Sequence, residues 1–309
     1  MRWIPIAIFV LAAPSWTQQP PRPMPTGHGL VRPEGFDPGK RTVVFIHGIG
    51  SNCSATFESF IDECKARDIQ AITFDYPNQG PIAKSGERFA AELQKLERDS
   101  PKLKYAIIAH SMGGLVTRAA LEGAEIGLSG VTDIVAIATP NDGSRLATYA
   151  PYLRSVDALL AFSPRKTILA EGLGEAGRDL HPDSEFIRSL RGKPRVAGVR
   201  YHIVVGKKGF IDSEDLPKVA AEIGRLASAR FGKTAEEGER IKREIGEMEE
   251  IVNGAGDGAV ALKRARLAGV DSERSFNLDH IEIVRGPGND AVRNYVFDRL
   301  GWDNPRGRK

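Results

Sequence analysis

The stretch AIIAHSMGGLVTRAALEGA joins a short apolar run to a helical pattern through His110-Ser111-Met112-Gly113-Gly114. A serine on so sharp a turn is pushed out above the strand ends. Small neighbours allow the tight backbone, and the start of the following helix favours developing negative charge. Ser111 is therefore a candidate nucleophile. Taken alone, a small-x-Ser-x-Gly segment is common by chance, and its bland counterpart is an ordinary strand-to-helix turn.

An earlier apolar run ends in His47-Gly48-Ile49-Gly50. A Gly-flanked turn there can aim the backbone N–H of Ile49 at the space above Ser111, while Met112 supplies a second N–H. Two such donors make an oxyanion hole, where loss of one typically costs about 10²–10³ in rate. A serine nucleophile also needs a base and an orienting acid, which behind such an elbow follow in the order Ser, Asp or Glu, His. The histidines are His28, His47, His110, His181, His202 and His280. The first three precede Ser111, His202 sits inside an apolar strand pattern where packing is its expected role, and His181 falls in an interval without strand signals. His280 follows the strand-like SERSFNL near the C-terminus, where a loop beyond the last strand can carry a base. Asp257 in Gly256-Asp257-Gly258 is the preferred acid, with Asp142, Asp212 and Asp215 as open alternatives; a Gly-Asp-Gly is also simply a turn.

The elements that must position these residues alternate regularly. RTVVFIHG, DIQAITFDY, LKYAIIAHS, VTDIVAIATP and VRYHIVVG are short β-branched runs, separated by amphipathic stretches such as AKSGERFAAELQKLERD. This alternation predicts an α/β chain with a mostly parallel central sheet and helices on both faces. Two intervals interrupt it. Residues around 145–195 carry scattered apolar side chains and are expected to form a helical cap or lid, with ordinary helices packed on the sheet as the alternative. Residues around 207–253 include TAEEGERIKREIGEMEEIVN, where Thr234 and Glu237 have capping-box spacing and Ile241, Ile245, Met248 and Val252 form one stripe. Glu236 with Arg240 and Glu239 with Arg243 are expected to pair on the opposite face. The reading is a solvated surface helix, with a partner-binding stripe as the alternative.

Composition narrows the classes. With 43 basic and 40 acidic residues among 309, a net charge of +3, and 41% hydrophobic residues, the chain is globular rather than disordered. No long Lys/Arg block is present, which argues against nucleic acid as a partner. At the N-terminus, Arg2 precedes an apolar run from Trp3 to Ala13 and then small residues. That order predicts a signal peptide over residues 1–17, too short for the roughly 20 residues of a membrane span. An exported protein follows, periplasmic or secreted, or N-terminally anchored if the signal is uncleaved. Residues 18–40 read as a Pro/Gly-rich linker and 41–309 as one domain. Cys53 and Cys64 would lie about 16 Å apart on one continuous helix, beyond disulfide reach, so a bridge requires Cys53 to sit in a loop that folds back.

Taken in order, His47-Gly48-Ile49-Gly50, Ala109-His110-Ser111-Met112-Gly113-Gly114, Ala138-Thr139-Pro140-Asn141-Asp142-Gly143-Ser144, Gly256-Asp257-Gly258-Ala259-Val260 and Asp279-His280-Ile281 resemble the motifs of the α/β-hydrolase lipases. The similarity is to bacterial triacylglycerol lipases and to cholesterol-acyltransferase-like and GPI-inositol-deacylase-like lipases, over about residues 41 to 300. Asp179 to Phe186 also looks like a segment that those proteins carry after their lid. The resemblance implies an α/β-hydrolase fold with Ser111 as nucleophile, His280 as base, Asp257 as acid, and Ile49 and Met112 as oxyanion donors. Ala109 stands where the elbow usually has glycine. No cofactor is implied, and no acidic pair is present that would justify the structural calcium of some relatives. The implied activity is hydrolysis of carboxylic esters, with a lipid or apolar acyl ester as substrate and transient contact with a membrane or lipid surface. A small-ester carboxylesterase or thioesterase, an acyltransferase, and a non-catalytic binding protein of the same fold are the alternatives.

Overall fold

Strands that are apolar on both faces are stable only between two layers of helices, and the sheet of this protein is built from such strands. The computed structural model describes residues 28–123, 127–146, 148–149, 174–286 and 288–302. The expected signal segment 1–17, the linker before residue 28 and positions 150–173 of the expected cap lie outside the described residues. In chain order the elements are β1 (Gly29–Val31), β2 (Thr42–Ile46), α1 (Cys53–Ala66), β3 (Gln70–Asp75), α2 (Ile82–Asp99), β4 (Tyr105–His110), α3 (Met112–Leu121) and β5 (Val131–Ile137). They continue with α4 (Gly174–Asp179), α5 (Glu185–Arg191), β6 (Arg200–Gly206), α6 (Leu216–Phe231), α7 (Ala235–Gly246), the single turn α8 (Leu262–Ala265), β7 (Ser272–Phe276) and α9 (Asp290–Arg299).

The seven strands form one sheet in the order β1-β3-β2-β4-β5-β6-β7. All neighbours are parallel except β1, which runs antiparallel to β3 with Gly29 opposite Asp75 and Val31 opposite Thr73. Every residue of β2 and β4 is buried. Alternate side chains enter opposite layers: Val44, Ile46, Ile107 and Ala109 meet Phe89 and Leu93 of α2 and Leu115 of α3. Val43, Phe45, Ala106 and Ile108 meet Phe57 and Phe60 of α1 and Val296 and Phe297 of α9.

Several local expectations change. The end of the Pro/Gly-rich linker is an edge strand, β1, because even three residues can pair when a neighbouring strand presents a free edge. The charged helix stops at Gly246 rather than continuing to Val252, and a 3₁₀ turn over Glu249–Ile251 follows it. Its capping box between Thr234 and Glu237 is present, worth about 1 kcal/mol. The ion pairs on the outer face are Arg240 with Glu244, Lys242 with Glu239 and Lys233 with Glu237, not Glu236 with Arg240 or Glu239 with Arg243. The stripe of Ile241, Ile245, Met248 and Val252 is buried with Ile203 and Val205 of β6 and Ile223 of α6, so a partner has no access to it. Cys53 and Cys64 lie at the two ends of α1 as separate buried thiols, because one helix holds them apart. Burial pushes both thiols well above their ordinary pKa. Among the described residues no helix is long and apolar enough to cross a membrane.

Candidate active site

The turn between β4 and α3 forces Ser111 into a backbone conformation that non-glycine residues rarely adopt, φ 54° and ψ −127°. Strain of this kind costs on the order of 1–3 kcal/mol and persists only where the surroundings impose it. Here the surroundings are tight. A Cβ on Gly113 would lie 2.5 Å from the His47 carbonyl oxygen, and one on Gly114 would lie 2.0 Å from Thr139 Oγ1. The two glycines therefore let α3 start directly against the β2 and β5 turns. The Ser111 N–H donates to the Ile137 carbonyl at 2.9 Å, which fixes the elbow to β5.

Three side chains meet at this point. Ser111 Oγ lies 2.9 Å from His280 Nε2, and His280 Nδ1 lies 2.9 Å from Asp257 Oδ2. The other Asp257 oxygen accepts from the N–H groups of Ala259 at 2.9 Å and Val260 at 2.7 Å. The Gly256-Asp257-Gly258 turn thus aims its carboxylate by hydrogen-bonding it to its own backbone. The His280 N–H returns to the Asp257 carbonyl at 2.8 Å, locking the two loops together. All three residues are buried, Ser111 being 8% exposed. With Nδ1–H given to the carboxylate, Nε2 of a neutral His280 is left to accept the serine proton.

The alternative acids are engaged elsewhere. Asp142 pairs with Arg191 and Arg264, Asp212 accepts from Asn253, and Asp215 pairs with Lys218 beside the start of α6. His181 is spent on a local turn through the Asp183 N–H. Ile49 lines a cavity next to Ser111, and Met112 is the first residue of α3, where a backbone N–H has no acceptor within its own helix. That cavity, about 70 Å³, is bordered by Ile49, Leu146, Leu180, Val260 and Ile281, among others. Among the described residues no group of His, Cys, Asp and Glu is placed to hold a metal ion.

Tyr76 and Asn78 are supporting residues that the sequence does not single out. Tyr76 donates its hydroxyl to the His47 carbonyl at 2.8 Å, and Asn78 clamps the following loop by accepting from Gly50 N–H and donating to the Ser51 carbonyl. Both belong to the Tyr76-Pro77-Asn78 turn after β3, whose residue types are the only signal available in the chain. His110 is fully enclosed behind His280 and donates Nε2–H to the His280 carbonyl at 2.9 Å. Burial holds His110 well below its ordinary pKa, and the neighbouring His280 and Arg285 push the same way. His47 is lowered by burial, partly offset by its bond to the Gly48 carbonyl and by Asp75.

Residues 8–178, more than half of the chain, match a family described as a domain of unknown function, DUF7379. The chain belongs to this family. The match spans Ser111 and ends before Asp257 and His280, so the family region and the candidate acid and base lie in different parts of the sequence. In fold, the chain is similar to the Bacillus licheniformis lipase BlEst2 in its mature form, with 23% identity, a TM-score of 0.59, and coverage of 89% of this chain and 99% of that one. The propeptide form of the same lipase gives 22% identity and a TM-score of 0.57, covering 89% of this chain and 54% of that one. The product of the Listeria innocua gene lin2722 gives 11% identity and a TM-score of 0.50, covering 84% and 94%. The architecture is the α/β-hydrolase fold. Comparison with curated proteins yields no match.

Proposed function

We propose that the protein is a serine-dependent carboxylic ester hydrolase. One observation carries this reading: a strained serine at a helix start, hydrogen-bonded through His280 to a carboxylate that faces away from solvent, opens into an apolar cavity. His280 Nε2 takes the Ser111 hydroxyl proton as Oγ attacks the ester carbonyl carbon. Asp257 holds the ring in the tautomer that accepts at Nε2 and stabilises the imidazolium that forms. The N–H groups of Ile49 and Met112 receive the developing oxyanion, helped by the dipole of α3. His280 then returns the proton to the departing alkoxide, and water repeats the sequence on the acyl-enzyme.

The apolar lining supports esters with an apolar acyl group over charged acyl chains along that lining. A second reading, a carboxylesterase for short acyl chains, is favoured by the cavity volume. About 70 Å³ is well below the roughly 150 Å³ that accommodates a benzene ring. Hydrolysis of a p-nitrophenyl ester series of rising acyl length, by the wild type and by Ser111→Ala, decides between them. Turnover that peaks at long chains and vanishes in the variant supports a lipase. A peak at acetyl or butyryl esters supports the carboxylesterase, and serine-independent or absent turnover refutes the hydrolase reading. Export remains part of the proposal, resting on the order of residues at the N-terminus.

A further inference from the structure

The cavity above Ser111 has two unlike walls. On the side of β5 and the Asp257 turn it is bordered by Pro140, Leu146, Leu180, Ala259 and Val260, an apolar surface apart from Ser144. On the side of β2 and α1 it is bordered by Ile49, Ser51 and Thr56 together with Ile281, Val284 and Arg285 of the segment after His280, so that hydroxyls and one guanidinium are mixed with apolar side chains there. Among the described residues that line it, Arg285 is the only Asp, Glu, Lys or Arg.

Its guanidinium is anchored but not neutralised. Among the described residues one of its five N–H donors is used, from Nη1 to the Ala55 carbonyl at 3.0 Å in the first turn of α1. It makes no ion pair with any carboxylate among the described residues. The nearby Glu282 is instead held by Lys208, with both carboxylate oxygens within 2.9 Å of Nζ. The charge of Arg285 also reaches the reaction centre, since it is among the influences that keep the buried His110 neutral. An exposed guanidinium at the rim of the cavity, with no carboxylate partner among the described residues, has its bidentate face available for an anionic oxygen pair.

We propose that Arg285 forms an anion subsite, and that the preferred substrate is an ester carrying a carboxylate or phosphate on one side of the scissile bond and an apolar group on the other. This rests on the reading of Ser111 as nucleophile. The apolar part packs along the β5 wall and the negative charge meets Arg285 on the α1 side, which orients the carbonyl over Ser111 in a single sense.

Two matched pairs of esters test the charge and its side. In the acyl arm, p-nitrophenyl butyrate is compared with p-nitrophenyl hemisuccinate. In the alcohol arm, umbelliferyl butyrate is compared with the butyrate of carboxyumbelliferone. Arg285→Ala is expected to lower kcat/KM for the anionic ester of one arm by about tenfold or more, while leaving its neutral partner within about twofold. Arg285→Lys should retain most of the preference, and Arg285→Glu should fall below Arg285→Ala on the anionic ester alone. Equal effects on neutral and anionic esters, or none, overturn the subsite. Binding keeps the test independent of turnover. Calorimetry with the anionic ester on Ser111→Ala, with and without Arg285→Ala, should show affinity about tenfold weaker in the double variant, and unchanged affinity overturns the proposal. If the wild type fails to hydrolyse neutral esters through Ser111 while this binding difference stands, the hydrolase reading is what fails.

Discussion

The sheet carries a Ser-His-Asp chain at each of its two edges. At the carboxyl ends of the strands, Ser111, His280 and Asp257 meet; at the amino ends, Ser272, His202 and Asp133 do. His202 Nδ1 lies 2.8 Å from Ser272 Oγ and His202 Nε2 lies 3.0 Å from Asp133 Oδ1. Those distances match the first set within a tenth of an ångström or so, yet the two arrays differ in everything else. Ser272 opens an ordinary strand, whereas Ser111 sits on a strained turn at a helix start. Parallel pairing of β6 with β7 places His202 opposite Ser272 and brings the lower array together without any loop. The imidazole is reversed, with Nε2 rather than Nδ1 toward the carboxylate. Asp133 also receives Arg200, and Ser272 receives the Tyr295 hydroxyl, so each member is committed to a structural partner. A hydrogen-bonded trio of the right residue types is thus cheap in a parallel sheet. Reactivity needs the elbow, the N–H donors and the cavity as well.

Paired substitutions in the two arrays should separate them. The largest separation is expected between the serines. Ser111→Ala should lower kcat on a p-nitrophenyl ester by roughly 10⁶, whereas Ser272→Ala should stay within about twofold and lose about 1 kcal/mol of stability in urea unfolding. Comparable turnover losses in the two variants would erase the distinction. Next come the acids. Asp257→Asn should cost about 10⁴ in kcat by favouring the wrong His280 tautomer. Asp133→Asn should leave turnover intact and act only on stability.

Acid sensitivity gives the smallest but most graded difference. The folded pKa of buried His110 lies below its unfolded value of about 6.5. The unfolded chain therefore binds the proton first, and stability falls as pH drops below that value, by up to about 1.4 kcal/mol per pH unit. His47 acts in the same direction. For Asp133, burial alone would raise the carboxyl, but hydrogen bonds from His202, Thr132 and Arg200 and the guanidinium charge leave it below its ordinary value. Its contribution is present above the unfolded value of about 3.9 and is lost only as pH falls through it toward the lower folded value. Urea unfolding between pH 7 and pH 3 should show the upper edge weakening first. Replacing His110 with Gln should flatten the first decline, and Asp133→Asn the second.

Much of this arrangement was legible in the residues. Short apolar runs fixed the parallel sheet, and the tight His110-Ser111-Met112 turn stood out because few sequences can make it. His280 emerged because so few histidines follow Ser111. Asp257 was harder to separate from Asp142, Asp212 and Asp215, since all four lie in turn-rich segments. What singles it out is geometric, the return of the His280 N–H to the Asp257 carbonyl across a gap of 23 residues. The antiparallel β1 was illegible because three residues carry no periodicity. The stop of α7 at Gly246 was hidden by apolar spacing that continues into the next turn. The Ser272 array could not be read either, because it arises from strand register, which joins residues 69 and 70 positions apart.

The antiparallel β1 has a practical consequence for anyone handling the molecule. Because Gly29 pairs with the last residue of β3, the described chain begins at the carboxyl ends of the strands, where Ser111 lies. At its other end, Trp302 borders a basin with Lys40, Lys104, Asp133 and Arg200, at the opposite edge. An attachment made at His28 thus lies at the same end of the strands as the cavity, and one made at Trp302 lies at the opposite end.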